Sequence, residues 1–166
     1  MTHSTLQVHG TEVWVEGTGP HTVVMLHGWP DSYRLWDATV QALQSQYRCV
    51  RLTLPGFDKD AAPRPTSLEA MTAFIAQVIA QTSPDAPVTL LLHDWGCMYG
   101  YDLAAKHPAL VARIAALDIG DYNSGTYVRS LPAKAKLGIL FYQLWLAVAW
   151  KVGHISASLG DRMTRS

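Results

Sequence analysis

The stretch best suited to chemistry is Val88-Thr-Leu-Leu-Leu-His-Asp-Trp-Gly-Cys-Met-Tyr-Gly100. Val88 to Leu92 is a nearly all-apolar run after Pro84 and Pro87, the pattern of a short strand buried on both faces. Cys97 to Lys106 reads as a helix, with Met98, Tyr101, Leu103 and Ala105 among its members. A strand that turns sharply into a helix leaves one side chain exposed at the top of a sheet. Here that side chain is Asp94. A carboxylate in that place can attack carbon and form an ester, and the amides that open a helix favour negative charge beside them. A plainer reading is an N-cap, where aspartate is also favoured. This stretch taken alone allows both.

A second strand-end motif bears on the choice. His21 to Leu26 is another apolar run, broken at once by His27-Gly28-Trp29-Pro30-Asp31-Ser32. In an open parallel sheet, ligands bind where the carboxyl ends of strands meet their loops, so both motifs belong to one edge. The remaining elements must hold that edge in place. Leu6–His9 and Glu12–Glu16 alternate on either side of Gly10 and read as a hairpin. Asp31 or Ser32 can cap a helix carrying Leu35, Trp36, Val40 and Leu43 at helical spacing. Tyr47–Leu54 reads as a strand stopped by Pro55-Gly56, and residues 57–67 as a loop. Ser67 opens a helix whose buried stripe is Met71, Phe74, Ile75, Val78 and Ile79. His107-Pro108 ends the helix after Asp94, and Val111–Ile119 is the last strand. Beyond Gly120 the composition changes: 121–130 is loop, Leu131–Trp150 is mainly helix, and 153–166 is polar and weakly patterned. Strands alternating with helices imply an α/β fold, a mostly parallel sheet with helices on both faces.

Hydrophobic residues make up 49% of the 166 and charged residues 16%, enough for one domain with a sizeable core. Thirteen basic residues balance thirteen acidic ones with no basic run, which argues against nucleic acid as a partner. Cys49 and Cys97 have no metal-ligand or disulfide spacing. They suit buried positions in a reducing, cytoplasmic setting. No basic n-region precedes an apolar run at the N-terminus, so a signal peptide is not expected. Leu137–Trp150 is apolar, with lysines at both ends and Gln143 inside. It falls short of the roughly twenty residues a bilayer span needs. A buried or lid helix is the expectation, and a helix on a membrane surface is the alternative.

In this order, and about sixty-five residues apart, His27-Gly28-Trp29-Pro30 and Leu92-His93-Asp94-Trp95-Gly96 resemble the α/β-hydrolase fold. The resemblance is to its epoxide hydrolase and haloalkane dehalogenase branch, whose nucleophile is an aspartate. The Leu54-Pro55-Gly56-Phe57 turn resembles that family's turn between the two motifs. The resemblance covers roughly residues 5–120. It makes 1–120 the amino-terminal part of a core truncated before its last strands, and 121–166 the start of a lid, or cap. It implies Asp94 as nucleophile toward a small apolar substrate, with the N–H groups of Trp95 and Trp29 as oxyanion hole. It implies that His27, Gly28 and Pro30 shape the loop, and that Asp118 can stand where some members carry the acid that orients the catalytic histidine. Turn chemistry is the plainer reading of Asp118 and Asp121. The Trp95 indole can face a leaving group or simply pack. The lid of this branch often carries tyrosines that polarise an epoxide oxygen, and Tyr122, Tyr127 and Tyr142 are present. Trp29 stands where dehalogenases often use asparagine, which tilts the reading toward epoxides. The resemblance implies no metal and no cofactor.

The departure from the pattern is the water-activating histidine. The family carries it on a loop after its last strand. The seven histidines here are at 3, 9, 21, 27, 93, 107 and 154, and only His154 follows the last expected strand. The chain therefore reads either as an amino-terminal fragment of a hydrolase or as a shortened, non-catalytic binding module. In both cases Val111–Ile119 is expected to be an exposed apolar edge. Trp29, Trp36, Trp95, Trp145 and Trp150 are candidates to line an apolar pocket.

Overall fold

The computed structural model describes residues 3–58, 64, 66–119 and 129–164, the side chains of 157 and 161 excepted. The chain divides into two compact units, Met1–Tyr122 and Asn123–Ser166.

In the first unit, β1 (His3–Val8) and β2 (Thr11–Glu16) form an antiparallel hairpin. Its turn residues His9 and Gly10 both have positive φ, 48° and 75°, as a two-residue hairpin turn requires. Then come β3 (His21–Leu26), a 3-10 turn (Tyr33–Trp36), α1 (Asp37–Leu43) and β4 (Tyr47–Leu52). They are followed by α2 (Leu68–Thr82), β5 (Val88–His93), α3 (Trp95–Lys106) and β6 (Val111–Leu117). The sheet order is β1-β2-β4-β3-β5-β6, and β3 to β6 are parallel to one another. Leu26 of β3 pairs with Leu92 of β5, and His93 of β5 with Leu117 of β6. The carboxyl ends of the three strands therefore lie level.

Strand alternation sorts side chains into two cores. Val24, Leu26, Val50, Leu52, Leu90 and Leu92 pack with Met71, Phe74, Ile75, Val78 and Ile79, the expected stripe of α2. At about 1.5–3 kcal/mol for each such side chain buried, this stripe is a main reason α2 lies on the sheet. Val23, Met25 and Cys49 of the opposite face pack with Trp36 and Val40. Ser67 caps α2 as expected, its hydroxyl accepting from the Ala70 amide at 3.2 Å.

Several expectations need correction. β5 is buried on one face only. Val88, Leu90 and Leu92 are buried, while Thr89, Leu91 and His93 are half-buried on the face of the smaller core. β4 stops at Leu52 ahead of the Pro55-Gly56 turn, where Gly56 has φ 86°. β6 stops at Leu117 because Asp118, at φ 83°, leaves the extended conformation. α3 starts two residues early, at Trp95. As expected, β6 is an apolar edge of the sheet among the described residues, with Ile114 40% and Leu117 52% exposed. Trp36 belongs to the core and not to a pocket.

The second unit holds α4 (Ala133–Ile155) and α5 (Ala157–Thr164). Of the two expectations for the apolar segment 137–150, a buried or a lid helix, it forms a helix whose apolar side chains are largely exposed, Leu137 and Phe141 by two thirds, with Ala149 fully buried. The tail expected to be unpatterned forms α5. There Gly160 approaches the backbone of Gly153 and Ala149 too closely for a side chain, and the Trp145 indole N–H donates to the Met163 carbonyl at 3.0 Å. The expected loop 121–130, with Asp121, Tyr122 and Tyr127, lies outside the described residues up to 128.

One charged cluster ties the first unit together. The buried Arg51 of β4 pairs with Glu16 of β2 at 2.7 Å and with Asp37 of α1, and its guanidinium lies 5.1 Å from the Tyr33 ring centre. Replacing Arg51 by alanine takes the guanidinium from the half-buried Glu16, which costs about 3 kcal/mol. Urea unfolding of Arg51→Ala is expected to show a loss of that order, with Asp37→Asn much milder because Asp37 is half exposed.

Candidate active site

The site is built at the level carboxyl ends of β3 and β5. Asp94 sits between β5 and α3 with φ 50° and ψ −123°, a strained conformation for a residue with a side chain. It occupies the N-cap position, yet its side chain makes no capping bond. Its carboxylate instead accepts the Trp29 backbone N–H at Oδ2, 2.9 Å away. The N-cap reading of the side chain is thus excluded by geometry. The first amides of α3, that of Trp95 among them, have no intrahelical acceptor and point their positive ends at this turn.

Three glycines make the approach of these elements feasible. A Cβ on Gly28 would overlap the Asp94 carboxyl group. One on Gly96 would strike the Leu26 carbonyl, and one on Gly100 would come within 2.5 Å of a Leu92 methyl. Gly96 and Gly100 therefore let α3 lie against β3 and β5.

His27 is fully buried and shapes the loop from within. Its Nε2 accepts the Leu54 N–H at 2.9 Å, which leaves the proton on Nδ1. That N–H donates to the Gly28 carbonyl at 2.7 Å. Burial is the largest influence on this imidazole and holds its pKa below 6.5. Pro30 follows through a cis peptide bond, and the Asp31 amide closes a turn on the Gly28 carbonyl at 3.1 Å.

Asp118 stands one residue beyond the His93–Leu117 pair, as Asp94 does on the neighbouring strand. Both flanking carbonyls are tied to α3. The Cys97 thiol donates to Leu117 at 3.4 Å and the Tyr101 hydroxyl to Ile119 at 2.8 Å. The Asp118 side chain is exposed and, among the described residues, makes no hydrogen bond or ion pair. The structure thus gathers Asp94, Gly28, Trp29 and Trp95 at one point, with Asp118 at an adjacent strand end. It joins no histidine to either acid by a hydrogen bond. Tyr142, Trp145, Trp150 and His154 belong to the second unit, where His154 Nδ1 donates to the Trp150 carbonyl at 2.8 Å. Among the described residues, no group of three or more His, Cys, Asp or Glu could hold a metal ion.

Sequence reasoning missed a row of rings at this edge. Trp95 is 41% exposed and stacks on Tyr99, with centroids 6.3 Å apart and planes 27° apart. Tyr99 meets Phe57 edge to face at 6.4 Å, and Phe57 meets His27 the same way at 5.5 Å. The four-residue spacing of Trp95 and Tyr99 was the available signal. A separate cavity of about 450 Å³ lies between the hairpin and the loop after β4, lined by Trp14, Tyr33, Thr53 and Arg64, without Asp94.

Two outcomes follow from this geometry. Gly28→Ala is expected to break the Trp29–Asp94 bond and lower stability by about 1–3 kcal/mol, checked by the loss of Trp29 amide protection in hydrogen exchange. For His27, the depressed folded pKa means the unfolded chain binds more protons. Its stabilising contribution is complete above the unfolded value of about 6.5 and is lost as pH falls toward and through the lower folded value. Thermal unfolding across pH 5–8 is expected to show this acid loss, and His27→Asn to flatten it from a lower starting stability.

The comparisons with known proteins bear on the fold and the family. A family described as alpha/beta hydrolase fold matches residues 21–145. The probable oxidoreductase EphD of Mycobacterium tuberculosis is 38% identical over 109 residues, covering 63% of this chain and 18% of that protein. The epoxide hydrolase srdG of Neurospora crassa is 35% identical over 120 residues, 68% of this chain and 35% of that protein. Epoxide hydrolase VrEH1 of Vigna radiata superposes with a TM-score of 0.64 at 28% identity, over 78% of this chain and 42% of that one. For the fold alone, a Pseudomonas aeruginosa protein gives 0.77 at 22% identity, over 99% of this chain and 57% of that one. The chain spans about a fifth to a third of the length of the two curated relatives. Among the described residues no helix is long and apolar enough to cross a membrane. With the matched region containing both strand ends and the strained turn at Asp94, the chain belongs to the α/β-hydrolase fold family, on its epoxide hydrolase-like branch.

Proposed function

We propose that this chain carries the alkylating half of an epoxide hydrolase-type reaction, with Asp94 as nucleophile toward a small apolar epoxide. The observation that carries this reading is the 2.9 Å bond from the Trp29 N–H to Asp94 Oδ2. It orients the carboxylate so that Oδ1 is the oxygen to attack. A new C–O bond forms from Oδ1 to an epoxide carbon, the ring C–O bond breaks, and the epoxide oxygen leaves with the electron pair and takes a proton from water.

Oδ2 then becomes the carbonyl oxygen of the ester, already seated against an N–H donor. When water adds to that ester, the negative charge develops on this oxygen. The Trp29 and Trp95 amides would serve it there, at about 3 kcal/mol per donor. Asp118 fits the role of an acid orienting a histidine from the adjacent strand end. Among the described residues no histidine is hydrogen-bonded to Asp94 or Asp118; both nitrogens of His27 are engaged elsewhere, and His154 Nδ1 donates to the Trp150 carbonyl. Residues 1–120 correspond to the amino-terminal part of the core in this reading, and 121–166 to the start of a cap. Two buried free thiols, Cys49 and Cys97, suit a reducing, cytoplasmic setting.

Intact-mass spectrometry of the chain incubated with a set of terminal epoxides tests the assignment. One covalent adduct is expected, mapped to Asp94 by proteolysis and absent in Asp94→Asn. A folded chain that takes no adduct at Asp94 from any of them would instead favour the binding-module reading.

A further inference from the structure

The row of rings beside Asp94 has no part in holding the carboxylate, and its composition speaks to what the site accepts. Trp95 immediately follows Asp94 and leaves 41% of its surface open. Tyr99, one helical turn on, stacks beneath it, and Phe57 from the loop after β4 meets Tyr99 edge to face. The row ends on His27, whose neighbour Gly28 touches the Asp94 carboxylate. It therefore begins and ends at groups adjoining the nucleophile. Burial first and the Asp94 charge second hold the Tyr99 phenol above its usual range, so this ring lies within electrostatic reach of the carboxylate.

A surface of this kind discriminates between flat and puckered groups. An aryl ring can extend a stack or meet an edge with its positive rim, whereas a saturated ring of the same size gains only area. We propose that Trp95, Tyr99 and Phe57 form an aromatic platform that selects epoxides bearing an aryl group, with Tyr99 as the residue that sets the preference. This rests on the reading of Asp94 as nucleophile. Tyr99 acts by stacking and holds no proton in the reaction. Its ring, half-buried against the core together with Phe57, backs the exposed Trp95 indole in the stack.

The test is the rate of Asp94 alkylation in the full chain, followed by intact mass with phenyloxirane and with cyclohexyloxirane. The two probes differ in intrinsic reactivity, so the readout is the change in their rate ratio between chain variants. Tyr99→Leu is expected to lower the phenyl-over-cyclohexyl ratio roughly five- to tenfold, and Tyr99→Phe to retain it. Phe57→Leu, a second variant should Tyr99→Leu not fold, is expected to lower the ratio in the same direction by less. Adducts on Asp94 with an unchanged ratio in the leucine variants would overturn the platform alone. A fall in Tyr99→Phe as large as in Tyr99→Leu would also overturn it, assigning the effect to the hydroxyl. No adduct on wild-type Asp94 from either probe would overturn the platform together with the nucleophile it serves.

Discussion

One hydrogen bond organises the first unit: the Trp29 amide to the Asp94 carboxylate, across the ends of β3 and β5. It demands that two strand ends lie level, which the parallel register of Leu26 with Leu92 provides. It demands a residue without a side chain at position 28, because any Cβ there would occupy the space of the carboxylate. It also demands a strained backbone at Asp94, and strain of that kind costs on the order of 1–3 kcal/mol. The surrounding core supplies the offsetting stability. Gly96 and Gly100 let α3 press against the sheet, and Leu26, Leu92 and Cys97 are fully buried beneath it.

Electrostatics at the site come mainly from the backbone. The carboxylate meets an amide dipole from one loop and the start of a helix from the other side. Among the described residues, the buried cation Arg51 lies elsewhere, held by Glu16 and Asp37 over β2 and β4. A carboxylate steadied by fixed dipoles keeps its second oxygen uncovered, whereas a tight ion pair would cover both.

The local signals in the chain were enough to find the two strand ends. Gly28 and Gly96 break apolar runs at fixed places, and Asp94 follows its strand directly. What the aspartate side chain does was not legible, since a cap and a strained turn share the same residue type. The bond from Trp29 decides it, and that bond depends on Gly28 approaching from a strand distant in sequence. The platform of Phe57, Tyr99 and Trp95 was hidden for a related reason: Phe57 comes from a loop distant in sequence, and only packing brings it to α3. In the second unit, apolar content suggested a buried or a lid helix for α4, and periodicity reports which face is apolar and not what covers it. The contact of Gly153 with Gly160, which lets α5 form, carries almost no hydrophobic signature.

His27 braces the loop whose Trp29 amide meets Asp94, and its wiring leaves it chemically silent. One ring nitrogen is occupied as an acceptor, the other as a donor, and burial disfavours the charged form. It works as a strut, unable to shuttle hydrogen ions without letting go of the loop it braces.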